Sequence, residues 1–228
     1  MQGVKRKLKH WILPQGRAPR VIHGGLLAGL TMELDLQHQS QRWLGLQERE
    51  LYRWFRQMSI GIRSAADVGA NDGMYSLYFM ARTPATRVVA VEPDEGCRSL
   101  LRRNLALNGL SEDRLELVPK FAGNINDSEH VVMDSFTSIL EPPCLVKVDI
   151  DGGEVDLLRG AQRLLQQRDV RWIIEVHSAQ LESDCARLLR QEGYSTIVVP
   201  NAWWRVFLPE LRHGELNRWL VAVKSGSQ

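Results

Sequence analysis

The stretch Asp67-Val68-Gly69-Ala70-Asn71-Asp72-Gly73 has the residue types of a ligand-binding turn. Gly69 and Gly73 let the backbone pass close to a ligand and reach dihedrals that a Cβ would forbid. An apolar run, Ala65 to Val68, precedes them, and a helix is expected to start near Met74. Amides at such a helix start face an anionic group. Glu92 directly follows a second apolar run, Val88-Val89-Ala90-Val91. A carboxylate at the end of a second strand is placed to accept both hydroxyls of a ribose. The spacing is G-x-x-x-G with Asp67 ahead of it, whereas dinucleotide sites carry G-x-G-x-x-G. An acid in that position repels a pyrophosphate but suits an ammonium, or the amides of the turn itself. S-adenosylmethionine offers an ammonium, one carboxylate and a ribose, so it matches the set better than NAD.

A second constellation lies further along. In a strand over Leu145–Ile150, Lys147, Asp149 and Asp151 point one way, with Val146, Val148 and Ile150 the other. In a strand over Trp172–His177, Glu175 and His177 share a face. Charges inside covered parallel strands are costly unless paired. Matched register puts Lys147 opposite Glu175 and Asp149 opposite His177, the latter pair at the carboxyl ends where open α/β sheets bind ligands. His177, oriented by Asp149, suits a general base for a hydroxyl, since an imidazole titrates near neutral pH. Asp149 as the base is the reverse assignment, and a His177 that merely caps the next helix is the plain structural one. Asp149, Asp151 and Glu154 offer oxygens to Mg²⁺, but Asp151 and Glu154 have capping-box spacing, so a helix cap without a metal is expected. Trp203 and Trp204 suit an aromatic platform beside the substrate mouth, or core filler at a loop base. His23 has no assigned role.

These residues need a scaffold of alternating elements. Helices are expected over Trp43–Met58, Met74–Arg82, Glu95–Asn108, Gly153–Gln166 and Ala179–Glu192, with Gly109 and Gly193 closing two of them. Strands are expected over Ala65–Gly69, Val88–Glu92, Leu115–Val118, Leu145–Ile150, Trp172–His177, Tyr194–Val199 and Trp219–Val223, with a short candidate at Val131–Met133. Strand alternating with helix implies a parallel, doubly wound sheet. Residues 1–20 read as a basic, poorly structured lead-in and 21–228 as one domain. Within it, 21–60 form a hairpin-and-helix cover and 61–228 the Rossmann-like core.

Composition sets the bounds. The apolar fraction of 44% and charged fraction of 25% are those of a globular protein. The first twenty residues hold six of the 29 basic residues and none of the 27 acidic ones, so the remainder is net acidic. That argues against a domain-wide nucleic-acid face; the basic end reads as a solvated tail, with weak contact to phosphate or an anionic membrane surface as the alternative. Cys97, Cys144 and Cys185 are odd in number and widely spaced, which suits reduced thiols in a cytoplasmic protein. No apolar run reaches the length of a membrane span.

Taken in order, several motifs resemble those of FkbM-type methyltransferases. They are Asp67 to Gly73, Glu92-Pro93, Asn104 to Asn108, Lys147-Val148-Asp149-Ile150-Asp151-Gly152-Gly153-Glu154 and Glu175-Val176-His177. Glu33-Leu34-Asp35-Leu36 and Leu44-Gly45-Leu46-Gln47-Glu48 resemble the family's lead-in. Two departures, Asp151 for the commoner Glu and Gly153 for the commoner Ala, fall at a helix start. The resemblance implies a class I methyltransferase fold, a seven-stranded sheet ordered 3-2-1-4-5-7-6 with strand 7 antiparallel. It implies O-methylation of small or glycan-like hydroxyls. It also implies that Asp67, Gly69, Asn71 and Gly73 hold the methionine part of the cofactor, and Glu92 its ribose. A nucleic-acid methyltransferase and a non-catalytic cofactor-binding protein are the alternatives. Base-amino methylators commonly carry Asn/Asp-Pro-Pro-aromatic where this chain has Asp149-Ile150-Asp151-Gly152, and intact Glu92, Asp149 and His177 speak against a non-catalytic role.

Overall fold

The computed structural model of the protein describes residues 13–206 and 218–224. A hairpin opens it, with β1 (Arg17–Val21) antiparallel to β2 (Thr31–Asp35). Two helices follow, α1 (Leu36–Leu44) and α2 (Tyr52–Met58). The alternating part then runs β3 (Ser64–Val68), α3 (Met74–Arg82), β4 (Arg87–Val91), α4 (Glu95–Ala106) and β5 (Leu115–Val118). Two short paired strands, β6 (Phe121–Ala122) and β7 (His130–Val131), lead to β8 (Cys144–Val148). The chain continues through α5 (Glu154–Arg159), α6 (Gln162–Gln166), β9 (Val170–Val176), α7 (Ala179–Gln191), β10 (Tyr194–Val199) and β11 (Arg218–Lys224).

Seven strands form one sheet in the order β10-β11-β9-β8-β3-β4-β5. The pairs among β9, β8, β3, β4 and β5 are parallel, and β11 runs antiparallel to both its neighbours. The central strands are apolar on both faces because both faces are covered. Ala65, Val88, Ala90, Leu145 and Ile173 pack under the hairpin, α2 and α3, whereas Ala66, Val89, Val91, Val146 and Ile174 pack under α5, α6 and α7.

Four expectations need correction. Of the basic lead-in, residues 1–12 lie outside the described residues, but Arg17–Arg20 belong to β1, so the hairpin starts earlier than its glycines suggest. The helix expected over Trp43–Met58 is divided at Gly45, which has φ +70° and lies against Gly24, so that an added Cβ would meet the Gly24 carbonyl carbon at 2.1 Å. The helix expected from Gly153 to Gln166 is broken at Gly160, where a Cβ would lie 2.1 Å from the Gly123 carbonyl oxygen of the crossing loop. The β8/β9 register sets Lys147 opposite Ile173 and Val148 opposite Ile174, not Lys147 opposite Glu175.

Candidate active site at the carboxyl ends of the central strands

The turn after β3 owes its shape to contacts on both sides. Gly69 and Gly73 have φ of +76° and +82°, and Asn71, at +49°, is also left-handed. A Cβ on Gly69 would lie 1.9 Å from the Asp149 carbonyl oxygen, and one on Gly73 would meet Leu101 Cγ at 2.5 Å. The turn is thus wedged between the end of β8 and α4. Asp67, almost wholly buried, accepts from the Ser76 amide and hydroxyl, both at 2.7 Å. Its carboxylate therefore serves the amides of the helix start. Burial pushes its pKa up to about 6, against the Ser76 hydrogen bond and the Lys147 charge.

Glu92 sits at the end of β4, 7% exposed. Its two oxygens accept from the amides of Asn71 (2.8 Å) and Asp94 (2.9 Å), which ties the end of β4 to the glycine turn. Cys97 is nearby, its Sγ 3.7 Å from Asn71 Oδ1. Its pKa is pushed up to about 12 by burial, the Asp94 hydrogen bond and the Glu92 charge, so it is a poor nucleophile.

The turn is also held from the N-terminal side, which sequence reasoning missed. Asp72, 2% exposed, forms an ion pair with Arg42 of α1 and accepts from Gln39 Nε2 at 2.9 Å. Asn104 Nδ2 donates to the Asp72 carbonyl at 2.7 Å, while its Oδ1 accepts from the Glu33 amide of β2 at 2.8 Å. Tyr75 donates its hydroxyl to buried Glu48. The signal in sequence was polar residues in the lead-in segment, Arg42 and Glu48, without an assigned partner.

The second constellation surrounds Lys147. This residue is fully buried, with Nζ 3.5 Å from Asp149 Oδ2, 4.0 Å from Glu175 Oε2 and 5.1 Å from the centre of the Tyr75 ring. Burial alone would lower its pKa, but Asp149, Glu48, Glu175 and Asp67 outweigh it and hold it above the ordinary value. Despite the shifted register, Asp149 and His177 do meet, with Nε2 to Oδ1 at 3.7 Å.

The orienting partner of His177 is Glu154, not Asp149. Nδ1 lies 2.6 Å from Glu154 Oε1, and a carboxylate only accepts, so Nδ1 carries the proton. That bond is the chief cause raising the His177 pKa, against partial burial. The expected capping box is absent: Gly153 is the N-cap of α5 and no side chain bonds there. Glu154 turns inward instead, fully buried, and its Oε2 has no hydrogen-bond partner among the described residues.

Trp203 and Trp204 separate in role. Trp203 is 79% exposed, whereas Trp204 carries the Arg205 guanidinium 4.4 Å from its ring centre, and Arg205 pairs with Glu50 at 2.6 Å. His23 packs edge-on to Trp43. A cavity of about 540 Å³ opens at the other edge of the sheet, by the amino ends of β3, β4 and β5. Its arginines are engaged by protein groups: Arg63 pairs with Glu141, Arg114 donates to the Ala85 and Met80 carbonyls, and Arg87 donates to that of Asp113. The candidate site residues Asp149, Glu175 and His177 gather instead at the carboxyl ends of β8 and β9. Among the described residues no helix is long and apolar enough to cross a membrane.

Several solved methyltransferase structures share this fold. The methyltransferase FkbM of Methylobacillus flagellatus aligns with a TM-score of 0.56 and 19% identity over 70% of this chain and 43% of its own. An rRNA methylase of Streptococcus thermophilus aligns at 0.55 with 11% identity, over 78% and 97%. The precorrin-6y C5,15-methyltransferase of Geobacter metallireducens aligns at 0.51 with 14% identity, over 76% and 87%. At these identities the likeness is one of fold alone. In sequence, methyltransferase sdnD of Sordaria araneosa is 48% identical over 42 residues, a match that spans 18% of this chain and 16% of that relative. No family model matches the chain.

Proposed function

We propose that the protein is a methyltransferase that takes its methyl group from S-adenosylmethionine and delivers it to a hydroxyl of a glycan, a polyketide or another small metabolite. The observation that carries this reading is the contact of the glycine turn with the end of β8, where Gly69 has no room for a Cβ beside the Asp149 carbonyl. A ligand in the turn would then border Asp149 and His177. The donor set fits the cofactor. Each Glu92 oxygen accepts one amide, and an ionised carboxylate has about four acceptor sites, so both oxygens keep room for ribose hydroxyls. Gly69, Asn71 and Gly73 would border the methionine part, with Asp67 holding the turn behind them.

When bound, the cofactor supplies a methyl group already activated on a sulfonium. The protein's share is to align the acceptor oxygen and take up its proton. With Nδ1 given to Glu154, His177 presents Nε2 as the base, and Asp149 is the second candidate. Calorimetry tests the cofactor: S-adenosylhomocysteine should bind and NAD should not, and micromolar NAD binding with no response to S-adenosylhomocysteine would reject the reading. Cofactor turnover against hydroxylated glycans, polyketides and RNA tests the acceptor. Turnover with RNA alone would replace the hydroxyl metabolite by a nucleic acid.

A further inference from the structure

We propose that Asp149, Asp151, Glu175 and His177 bind one divalent first-row transition cation, with Mn²⁺ as the best match. His177 Nε2 lies 3.1 Å from Asp151 Oδ1, 3.7 Å from Asp149 Oδ1 and 4.0 Å from Glu175 Oε1. Donor atoms of Asp149, Glu175 and His177 all lie within 4.8 Å of one another. Ligands about 2.1 Å from an octahedral ion stand about 3.0 Å apart at adjacent positions and about 4.2 Å apart across it. The observed separations fall within that span or just beyond it. Asp151 is 88% exposed, so it is the adjustable member.

The neighbours hold these donors as outer partners hold metal ligands. Lys147 stands by Asp149 Oδ2 and Glu175 Oε2, the oxygens other than those nearest the imidazole. Trp219 Nε1 also donates to Glu175 Oε2, at 3.1 Å. Glu154 keeps the proton on Nδ1, so Nε2 turns its lone pair toward carboxylates that have no proton to give. A positive charge between them removes this conflict, either a proton on Nε2 or a metal ion. The carboxylates of Asp149 and Glu175 flank the Lys147 ammonium, while those of Asp151 and Glu154 lie against His177. The buried Oε2 of Glu154, which has no hydrogen-bond partner among the described residues, is an independent sign of an acceptor left over beside the imidazole. A divalent ion corrects the balance further. One imidazole nitrogen with carboxylate oxygens suits Mn²⁺ better than Mg²⁺, which favours oxygen alone. The capping-box objection to a metal falls with the cap itself. The inference rests on the proposed methyl transfer only for its use, an acceptor oxygen as a further ligand; while the ion is bound, Nε2 is not a base.

The test is Mn²⁺ added to the full chain, followed by the loss of the free-ion EPR signal. One equivalent should bind, and His177→Gln or Asp149→Asn should weaken binding at least tenfold. His130→Gln, at the exposed His130–Asp127 pair, should leave it unchanged. No loss of signal at millimolar protein, or equal affinity in all variants, would overturn the site. Should the two site variants fail to fold, ¹⁴N coupling in the wild-type Mn²⁺ spectrum decides: its presence supports the imidazole ligand and its absence refutes it. Calorimetry with S-adenosylhomocysteine on the same samples reports the cofactor reading separately, so either idea can fail alone.

Discussion

Replacing Lys147 by Met should be strongly destabilising, and its size follows from what the ammonium faces. Nζ lies 3.5 Å from Asp149 and 4.0 Å from Glu175, within the field of Glu48 and Asp67. Asp149 is 36% exposed and can rehydrate, but Glu175 is 1% exposed and cannot. Trp219 alone does not neutralise it. Breaking a buried pair from one side costs about 3–5 kcal/mol. For a chain of this length each kcal/mol moves the midpoint by about 2–4 °C, so a fall of about 6–20 °C is expected. Urea unfolding at neutral pH measures the free energy directly, with the linear slope checked against wild type. Lys147→Met/Glu175→Gln should recover much of the loss, because the second change removes the stranded charge. A loss below about 1 kcal/mol, or a double variant no more stable than the single one, would refute the idea that a buried charge balance organises this site.

Glu92→Ala should weaken S-adenosylhomocysteine binding by about 1.5–3 kcal/mol by calorimetry, and unchanged affinity would remove Glu92 from the site. His177→Ala should lower stability by stranding buried Glu154, leave cofactor binding intact and cut methyl transfer per folded molecule by about 10²–10⁴; normal turnover per folded molecule would make it structural instead. Gly69→Ala, which forces a Cβ against the Asp149 carbonyl, should destabilise by more than about 3 kcal/mol in urea, and a near-neutral change would contradict the contact. Asp67 has a folded pKa raised to about 6, so its stabilising contribution is complete below the ordinary carboxylate pKa and disappears as pH rises through 6. That is about 3 kcal/mol lost by neutral pH, and Asp67→Asn should flatten the decline between pH 4 and 7. An identical pH profile in the variant would count against a buried, reluctant carboxylate.

Local chemistry was legible where the sequence pattern is itself local. The turn from Asp67 to Gly73, the helix at Met74–Arg82 and the strands at Leu115–Val118 and Tyr194–Val199 follow from glycine placement and apolar runs. Period-2 alternation also put Lys147, Asp149, Glu175 and His177 on one face. It does not fix which residues lie opposite each other, because the same alternation survives a shift of two. Packing chose that shift, with Cys144 opposite Val170 at the start of the pair. The breaks at Gly45 and Gly160 depend on backbone crossing from Gly24 and Gly123, which no nearby residue announces. Arg42 with Asp72, and Glu48 with Tyr75, join segments far apart in the chain for the same reason. Glu154 was read as a cap because Asp-x-x-Glu spacing fits one, yet His177 supplied a better partner for a buried acid.

The missing side chain at Gly69 has a thermodynamic corollary. Backbone in direct contact with the Asp149 carbonyl leaves no slack between the turn and the strand end. Whatever occupies the turn then biases the position of Asp149, and whatever occupies the Asp149 side biases the turn. Linkage makes that influence reciprocal, so the first ligand's effect on the second must equal the second's effect on the first. The coupling free energy is then the same whichever half is filled first, and it passes through the one residue that has no side chain.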